Sequence, residues 1–570
     1  MSQEPVVDLS PVRPSRGFVR HAGLISFITL ISRFLGLARE SVAAHYFGAG
    51  AVWSAFQFAF SIPNLFRKLL GEGALATAFI PLYAATLRRD RHTNDDESRR
   101  FAAATINVLL MTLFVITLLG ESLLALAGLI IRRPDHVLML WLTAIMLPYV
   151  MLVCATAFLG AILQVHGRFA AAAATSIVLN LCLIVGIVLG AIRLDLDSRD
   201  GQVTGVRLLA ISVLLAGVSQ VLMLLPSLRR VGFRLDFRTP LRTPLLARLV
   251  RMTIPVAIGA GVLQLGVLLD KGIATFLAAP DNTTTHLERF GMRLPYPMHE
   301  GAVVRLGNAQ LMYQFPLGVF AIALATAIFP RLSHDAVDES RLSRGDDRAA
   351  ASDSFRAVLR QGVEASLFIG LPASAGMVLV SEPAIRACFE SGKFTAQDTL
   401  WTARSTAIYS AAIWAFSLQQ IVGRAYYALH DTLTPLYWTV INLLINLVVE
   451  LPLLWTPLRE SALPVGTLVS FTVQALAMLW MLDRRAGGIG LRQSVRAVGK
   501  MVLATAVMSG ACVGVMHMPI YPTGSGRLTA ALQVLVLASV GGAVYLATVW
   551  LLGLRPTSGL LPRLARRKSS

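Results

Sequence analysis

Charge is scarce in this 570-residue chain, at 15% of residues, while 55% are hydrophobic. Soluble domains carry about a quarter of their residues as charges, so one large water-soluble core is excluded and lipid is the expected solvent. Acid is scarcer than base: 32 Asp and Glu stand against 51 Lys and Arg, for a net charge of +19. The surplus is not gathered into one patch but lies in short segments between apolar runs, which argues for membrane topology and against a nucleic-acid partner. Cysteine is rare too. Cys154, Cys182, Cys388 and Cys512 sit singly in apolar stretches, with no CxxC pair or metal spacing, and read as small packing residues. No GxxxxGK[ST] loop, HExxH or GxSxG is present. No soluble stretch is long enough for a nucleotide-binding domain, which leaves direct ATP drive without support. No catalytic residue, resident metal or cofactor is expected, and a transport role follows by default. The first residues lack the apolar core and cleavage site of a signal peptide, so 1–21 is expected to be a cytoplasmic tail.

What the chain does have is a succession of long apolar runs. About 20 apolar residues span a bilayer as a helix. By that measure an all-α integral membrane protein with about fourteen spans is expected. They lie near 22–47, 51–86, 101–131, 137–165, 170–193, 205–228, 249–279, 302–331, 355–381, 402–429, 434–456, 462–483, 498–519 and 528–554. Pro63 removes a backbone donor from the second, so a kink is expected near Ser61–Pro63. With both termini inside, the inner segments hold about thirty Lys and Arg and the outer ones about ten, as the positive-inside rule requires. The segment 229–248 is too charged to cross, and 555–570 is a basic cytoplasmic tail.

The first two spans hold Arg33, Arg39, Glu40, Arg67, Lys68 and Glu72. A charge at the centre of a spanning helix costs roughly 2.5–3.5 kcal/mol, so such residues face a wet cavity or find partners. Cations outnumber acids there, which suits an anionic cargo. Arg33 and Glu40 share a helical face, and Arg39 points about 120° away from Arg33. Lys68 and Glu72 are spaced to pair at i, i+4. Arg67 has no local partner, and its planar fork of donors suits a phosphate or pyrophosphate. The other reading pairs these residues with acids on distant helices, or has them snorkel to the interface. Asp270-Lys271 is a further embedded pair: either a local or interhelical ion pair, or a site where Asp270 carries a coupling cation or proton. Arg424 and Glu450 read as interfacial or paired. GAILQVHGRF followed by Asn180 echoes GRAYYALHDT followed by Asn442 and Asn446, a hint of the repeated halves common in transporters.

Several motifs run in order from the first helix to the eleventh. They include Ser32-Arg33-x-Leu35-Gly36-x-x-Arg39, Phe47-Gly48-Ala49-Gly50, and Ala59-Phe60-x-Ile62-Pro63-Asn64-Leu65-x-Arg67. Glu72-Gly73-Ala74, Ala78-Phe79-Ile80-Pro81, Gln314-Phe315-Pro316-Leu317-Gly318-Val319 and Phe329-Pro330-x-Leu332-Ser333 continue the series. Gly392-Lys393-Phe394-Thr395 and Arg424-Ala425-Tyr426-Tyr427-Ala428-Leu429-His430-Asp431-Thr432-x-Thr434-Pro435 complete it. With these residues the chain resembles the MurJ (MviN) lipid II flippases of the multidrug/oligosaccharidyl-lipid/polysaccharide exporter superfamily.

The resemblance implies two six-helix lobes, 22–228 and 249–483, around a central cationic cavity. It adds two C-terminal helices within 484–554. It implies that lipid II, an undecaprenyl-pyrophosphate-linked peptidoglycan precursor, moves from the inner to the outer leaflet of a bacterial inner membrane by alternating access. A gradient or potential would drive it, with Na+ or H+ as coupling ion, and membrane lipids and the cell-wall synthesis machinery as further partners. Arg33, Arg39, Arg67 and Lys68 are then the substrate-facing residues, Glu72 a structural or gating acid, and Asp270 and Asp431 candidates for cation coupling. The chain departs from the family where Ser54 replaces an acid, Ser61 a base, and Gln310-Leu311 an Asp-Arg pair. Arg305 is the nearest candidate to replace the lost arginine, although a separation of six positions puts it on another helical face. The alternatives are a flippase for another polyprenyl-linked glycan, a cation-coupled drug exporter, and a membrane scaffold that does not transport.

Overall fold

The computed structural model describes residues 16–93, 95–238, 243–281, 286–289, 292–318 and 353–554, with short stretches between 324 and 333. The expected tails 1–15 and 555–570 lie outside the described residues; 16–21 already belong to the first helix. The first lobe begins with α1 (Arg16–Phe47) and α2 (Ala51–Phe66). The helix continues through Pro63, and its winding changes at Arg67, where Arg67–Ala74 forms a π-helix ahead of α3 (Leu75–Thr93). Gly71 and Gly73 weaken the α-helical preference there, and π-helical turns are enriched at functional sites. α4 (Glu97–Ile130), α5 (Pro134–Met146), α6 (Tyr149–Val165), α7 (Phe169–Arg193) and α8 (Arg199–Arg230) complete the lobe.

The second lobe comprises α9 (Pro244–Phe276), α10 (Ala302–Pro316), α11 (Asp353–Phe389), α12 (Ala396–Ala411), α13 (Ile413–Ala428), α14 (Leu433–Leu453) and α15 (Ala462–Arg485). α16 (Leu491–Met516) and α17 (Arg527–Leu551) pack on α11. One feature departs from an all-helical chain. The long connection after α9 folds into an antiparallel hairpin of β1 (His286–Arg289) and β2 (Met292–Pro295).

Ten helices are long and apolar enough to cross a bilayer, or eleven when α5 and α6, bent by 42° at Leu147-Pro148, count as one span. The expected fourteen is not reached among the described residues. The part of α1 with described side chains carries Arg33, Arg39 and Glu40. The stretch 302–331 runs beyond the described residues, and 402–429 is split at Ala412 into two helices of 16 residues each. The outward faces are apolar: Leu129 is 70% exposed and Trp550 78%. Such surface is intolerable over this extent in water and ordinary against acyl chains.

Each lobe has its own packed interior. In the first, Phe47, Trp53 and Phe56 stack in series at 5.0 and 4.8 Å. In the second, Tyr313 stacks on Phe416 at 5.4 Å and Phe416 meets Phe471 at a tilt at 4.3 Å. The internal echo has a structural counterpart. His166-Gly167 and His430 each close a helix with a left-handed residue (φ +74° at Gly167, +58° at His430), and each following helix buries its Asn180 or its Asn442 and Asn446.

The second lobe is pinned by Arg305, which is 1% exposed. Its Nε and Nη2 donate to Glu460 at 2.6 and 2.7 Å, its Nη1 donates to Asp398 at 3.0 Å, and its guanidinium lies 4.7 Å from the Trp401 ring centre. Asp398 also closes a capping box with Thr395 at the start of α12, so one arginine joins α10, α12 and the turn before α15. Removing one partner of a buried ion cluster strands the others. Arg305→Met is therefore expected to destabilise the protein by about 3–5 kcal/mol. Arg99→Met, which breaks an exposed pair with Asp96, is expected to cost under about 1 kcal/mol; thermal melts in detergent compare the two.

Candidate functional site

Between α1, α2, α7, α9 and α10 lies a cavity of about 210 Å³. Arg39 and Glu40 reach it from α1, Gln57 and Asn64 from α2, Lys68 from the π-helical turn, Lys271 from α9 and Gln310 from α10. Arg39 is held on three sides: Nη2 donates to Glu40 at 2.5 Å, Nη1 donates to Asn180 Oδ1 at 3.1 Å, and the guanidinium lies 5.9 Å from the Phe60 ring centre. Asn180 is in turn fixed by donating to the Ser32 carbonyl at 3.2 Å. The second Glu40 oxygen accepts from Gln57 at 3.1 Å. Among the described residues three cations therefore line the cavity, and its one acid already has both oxygens engaged. Fixed donors with a net positive charge can hold an anion without reorganising.

The other expected residues are distributed around this hollow. Arg67 lines a neighbouring chamber of about 780 Å³ inside the first lobe, walled by Ser32, Thr156, Gln164, Thr175 and Gln220. Its Nε donates to Asn64 Oδ1 at 3.1 Å, and Asn64 lines the central cavity, so the two chambers adjoin. Sequence reading missed this chamber, because hydroxyls and amides spread over separate helices leave no linear signal. Arg33 is exposed and lies against Gly318 on the other lobe, where a Cβ would collide with the guanidinium. Beside it Phe34 meets Phe315 edge-on at 6.2 Å. The glycine of the Gln314–Val319 motif thus makes room for the arginine of the first motif. The side chain of Glu72 lies outside the described residues.

Ser61, Gln310 and Leu311 line the central cavity, whereas Ser54 turns its hydroxyl back to the Gly50 carbonyl at 2.9 Å. Arg305 does not replace the charge absent at Leu311, being enclosed by Glu460 and Asp398.

A third hollow of about 260 Å³ inside the second lobe shares Lys68, Gln264, Gln310 and Gln314 with the central one. Asp270 and Asn446 face it, and Asn446 Nδ2 is 3.3 Å from Asp270 and 2.9 Å from Glu450. Glu450, expected at an interface or in a pair, is fully buried. Asp431 stands apart, in the turn before α14. Burial pushes its carboxyl up, but the Thr434 N–H and hydroxyl and Arg485 outweigh this and hold it below the usual range.

One end of the bundle is sealed between lobes. Ala51 N, at the start of α2, donates to Glu300 at 2.9 Å, so a carboxylate sits on a helix N-terminus. Lys393 N donates to the His45 carbonyl at 3.0 Å, and the Lys393 ammonium contacts Leu196 and Asp197. Gly301 (φ +79°) presses against the Ala49 carbonyl with no room for a Cβ. The motifs around Gly48 and Lys393, far apart in sequence, therefore meet in this seal.

Two helical lobes that enclose polar hollows and close over them at one end define a multi-pass membrane transporter. The fold is that of a solved lipid II flippase MurJ in an inward closed conformation, with a TM-score of 0.69 at 20% identity over 93% of this chain and 98% of that one. An inward-facing multidrug resistance MATE transporter of the MOP superfamily matches at 0.61 and 13% identity, over 82% of this chain and 98% of that one. A Rhizobium tropici protein named a probable lipid II flippase MurJ is 30% identical over 549 residues, 95% of each chain. Residues 43–529 match the family described as Lipid II flippase MurJ, and the chain belongs to that family.

The seal gives a pH dependence with a definite sign. Burial raises the Glu300 carboxyl above its ordinary 4.5, Asp135 and Asp281 push the same way, and the Ala51 N–H and Arg199 oppose them. Parting the lobes returns Glu300 to water, so closure takes up protons. The advantage of the closed state is full below the ordinary carboxyl pKa and is lost as pH rises through the raised one. Spin labels at Asp200 and Leu400, exposed on opposite lobes near this end, should report a larger closed fraction on acidification. Glu300→Gln is expected to abolish the trend.

Proposed function

We propose that this chain turns lipid II from the inner to the outer leaflet of the bacterial inner membrane by alternating access. Both termini lie in the cytoplasm, and the sealed end faces outward. The observation that carries this reading is the convergence of Arg39, Lys68 and Lys271 on one hollow between lobes, whose described acid, Glu40, is already bound. A diphosphate headgroup supplies the missing negative charge, and arginine forks match its oxygens. Arg67 and its hydroxyl-lined chamber receive neighbouring polar parts of the headgroup. Arg33, on the seam between α1 and α10, meets the headgroup as it enters. The cargo is moved and not converted, so no bond-making step is needed. The lipid tail stays in the surrounding lipid, and cell-wall synthesis enzymes supply and consume the cargo.

The drive fits a small cation. Asn446 Oδ1 and Glu450 Oε1 are buried without a partner among the described residues, next to Asp270. This all-oxygen donor set suits Na+ or H+, and such an ion would neutralise the paired acids as the lobes change orientation.

Complementation tests the reading. In a bacterium depleted of its own flippase the chain is expected to restore growth. Arg39→Ala and Arg67→Ala are expected to reduce rescue at least tenfold in plating efficiency at unchanged protein level. Full rescue by both variants would remove the cargo assignment.

A further inference from the structure

We propose that Lys271 is a direct ligand of the cargo diphosphate, the contact by which the second lobe holds the headgroup. This rests on the lipid-diphosphate reading above and extends it to a residue outside the arginine cluster.

Lys271 lies near the end of α9 and lines both the central cavity and a small void beside Gly307 and Gln310. The charges it senses lie across the lobe boundary, on Glu40, Lys68 and Arg39. Among the described residues its ammonium has no hydrogen-bond or ion-pair partner. Asp270, its neighbour in sequence, does not supply one. Consecutive helical residues point about 100° apart, and Asp270 turns into its own lobe toward Asn446. Glu40 is the acid whose charge acts on it, and both its oxygens are committed to Arg39 and Gln57. An ammonium kept in this setting carries a cost that a bound anion would offset.

The rest of the second lobe's wall is neutral. Gln264, Gln310, Leu311 and Gln314 face the cavity from α9 and α10, so Lys271 is the one cation contributed from that side among the described lining residues. A diphosphate seated against Arg39 and Lys68 would present its remaining oxygens to this wall. A compact ammonium with three donors can take one at any angle.

The internal repeat supports the same assignment. Asn180 grips Arg39 in the first lobe, and Asn446 grips Asp270 in the second. The adjacent residue faces the shared cavity in each case: Glu40 from α1 and Lys271 from α9. In the first lobe both Arg39 and Glu40 line the shared cavity, whereas the second turns a cation toward the cargo and an acid toward its own interior. One helix thereby touches both the headgroup and the acid pocket.

The test is equilibrium binding of undecaprenyl diphosphate and undecaprenyl monophosphate to the purified full chain in detergent, with Lys271→Met, Lys271→Arg and Arg39→Ala as variants. Lys271→Met is expected to weaken diphosphate binding about 10- to 100-fold, the loss of one charge-assisted contact. It should also narrow the preference for diphosphate over monophosphate, without lowering the melting temperature. Lys271→Arg is expected to stay within about threefold of the unsubstituted chain, because it preserves the charge. Unchanged diphosphate affinity in Lys271→Met, alongside lost binding in Arg39→Ala, would overturn the role of Lys271 and leave the cavity assignment standing. A Lys271→Met chain that melts earlier yet binds normally would also overturn it, by making the lysine structural. Failure of the unsubstituted chain to bind either lipid would overturn both readings.

Discussion

An unpaired cation in hydrocarbon is expensive, and every polar feature inside this bundle answers to that cost. Arg39 meets it with Glu40, Asn180 and Phe60, while Arg305 meets it with two carboxylates and a tryptophan face. The solutions differ in what remains. Around Arg305 the charges close on themselves, and the result is a rivet between helices. Around Arg39 the acid is used up while Lys68 and Lys271 still face the hollow. The first arrangement builds structure, and the second leaves a hollow with more cations than acids among its described lining residues.

The lobes give that hollow a means of moving its contents. Each carries its own aromatic stack, while Leu246, Leu249 and Val304 of the second lobe also pack into the first, so a turn of one lobe on the other slides along α9 and α10. Much of the seal between them is backbone against backbone, at Gly301 with Ala49 and at Lys393 with His45. Around these contacts Ala44 of the first lobe packs with Met312, Ile385, Phe389 and Phe394 of the second, so parting the lobes also exposes that apolar patch. On the proposed reading cavity and seal divide the work: one holds an anion between the lobes, the other decides which side it can leave from.

Much of this was legible in the sequence. Apolar runs marked the spans, and the excess of arginine in the first two marked the cavity. The motifs marked the family, and the two His-containing turns marked the repeat. The residues that escaped are those whose partners are distant or whose direction is undecided. Asp270 and Lys271 left open an ion pair or a coupling site because they are adjacent; in the fold they share one small void, while helical rotation turns Lys271 to the central cavity and Asp270 to the second lobe's hollow. Arg305 read as a possible replacement for a lost cavity charge, because Glu460, more than 150 positions away, gives no local signal. Glu300 and Gly301 fall between two expected spans, and only the fold sets them against the start of α2. The span count fell short where the expected helices carry cavity-facing charge, divide in two, or run beyond the described residues.

The central claim is that the space between the lobes is wet, positive and shaped for a lipid diphosphate. Accessibility of a single cysteine at Ser61, on the cavity wall, tests this most directly in a chain freed of Cys154, Cys182, Cys388 and Cys512. A membrane-impermeant thiol reagent applied from the cytoplasmic side should label Ser61→Cys, and undecaprenyl diphosphate should protect it while a neutral polyprenol does not. A cysteine that never labels, or one that labels equally with and without the diphosphate, would contradict the account.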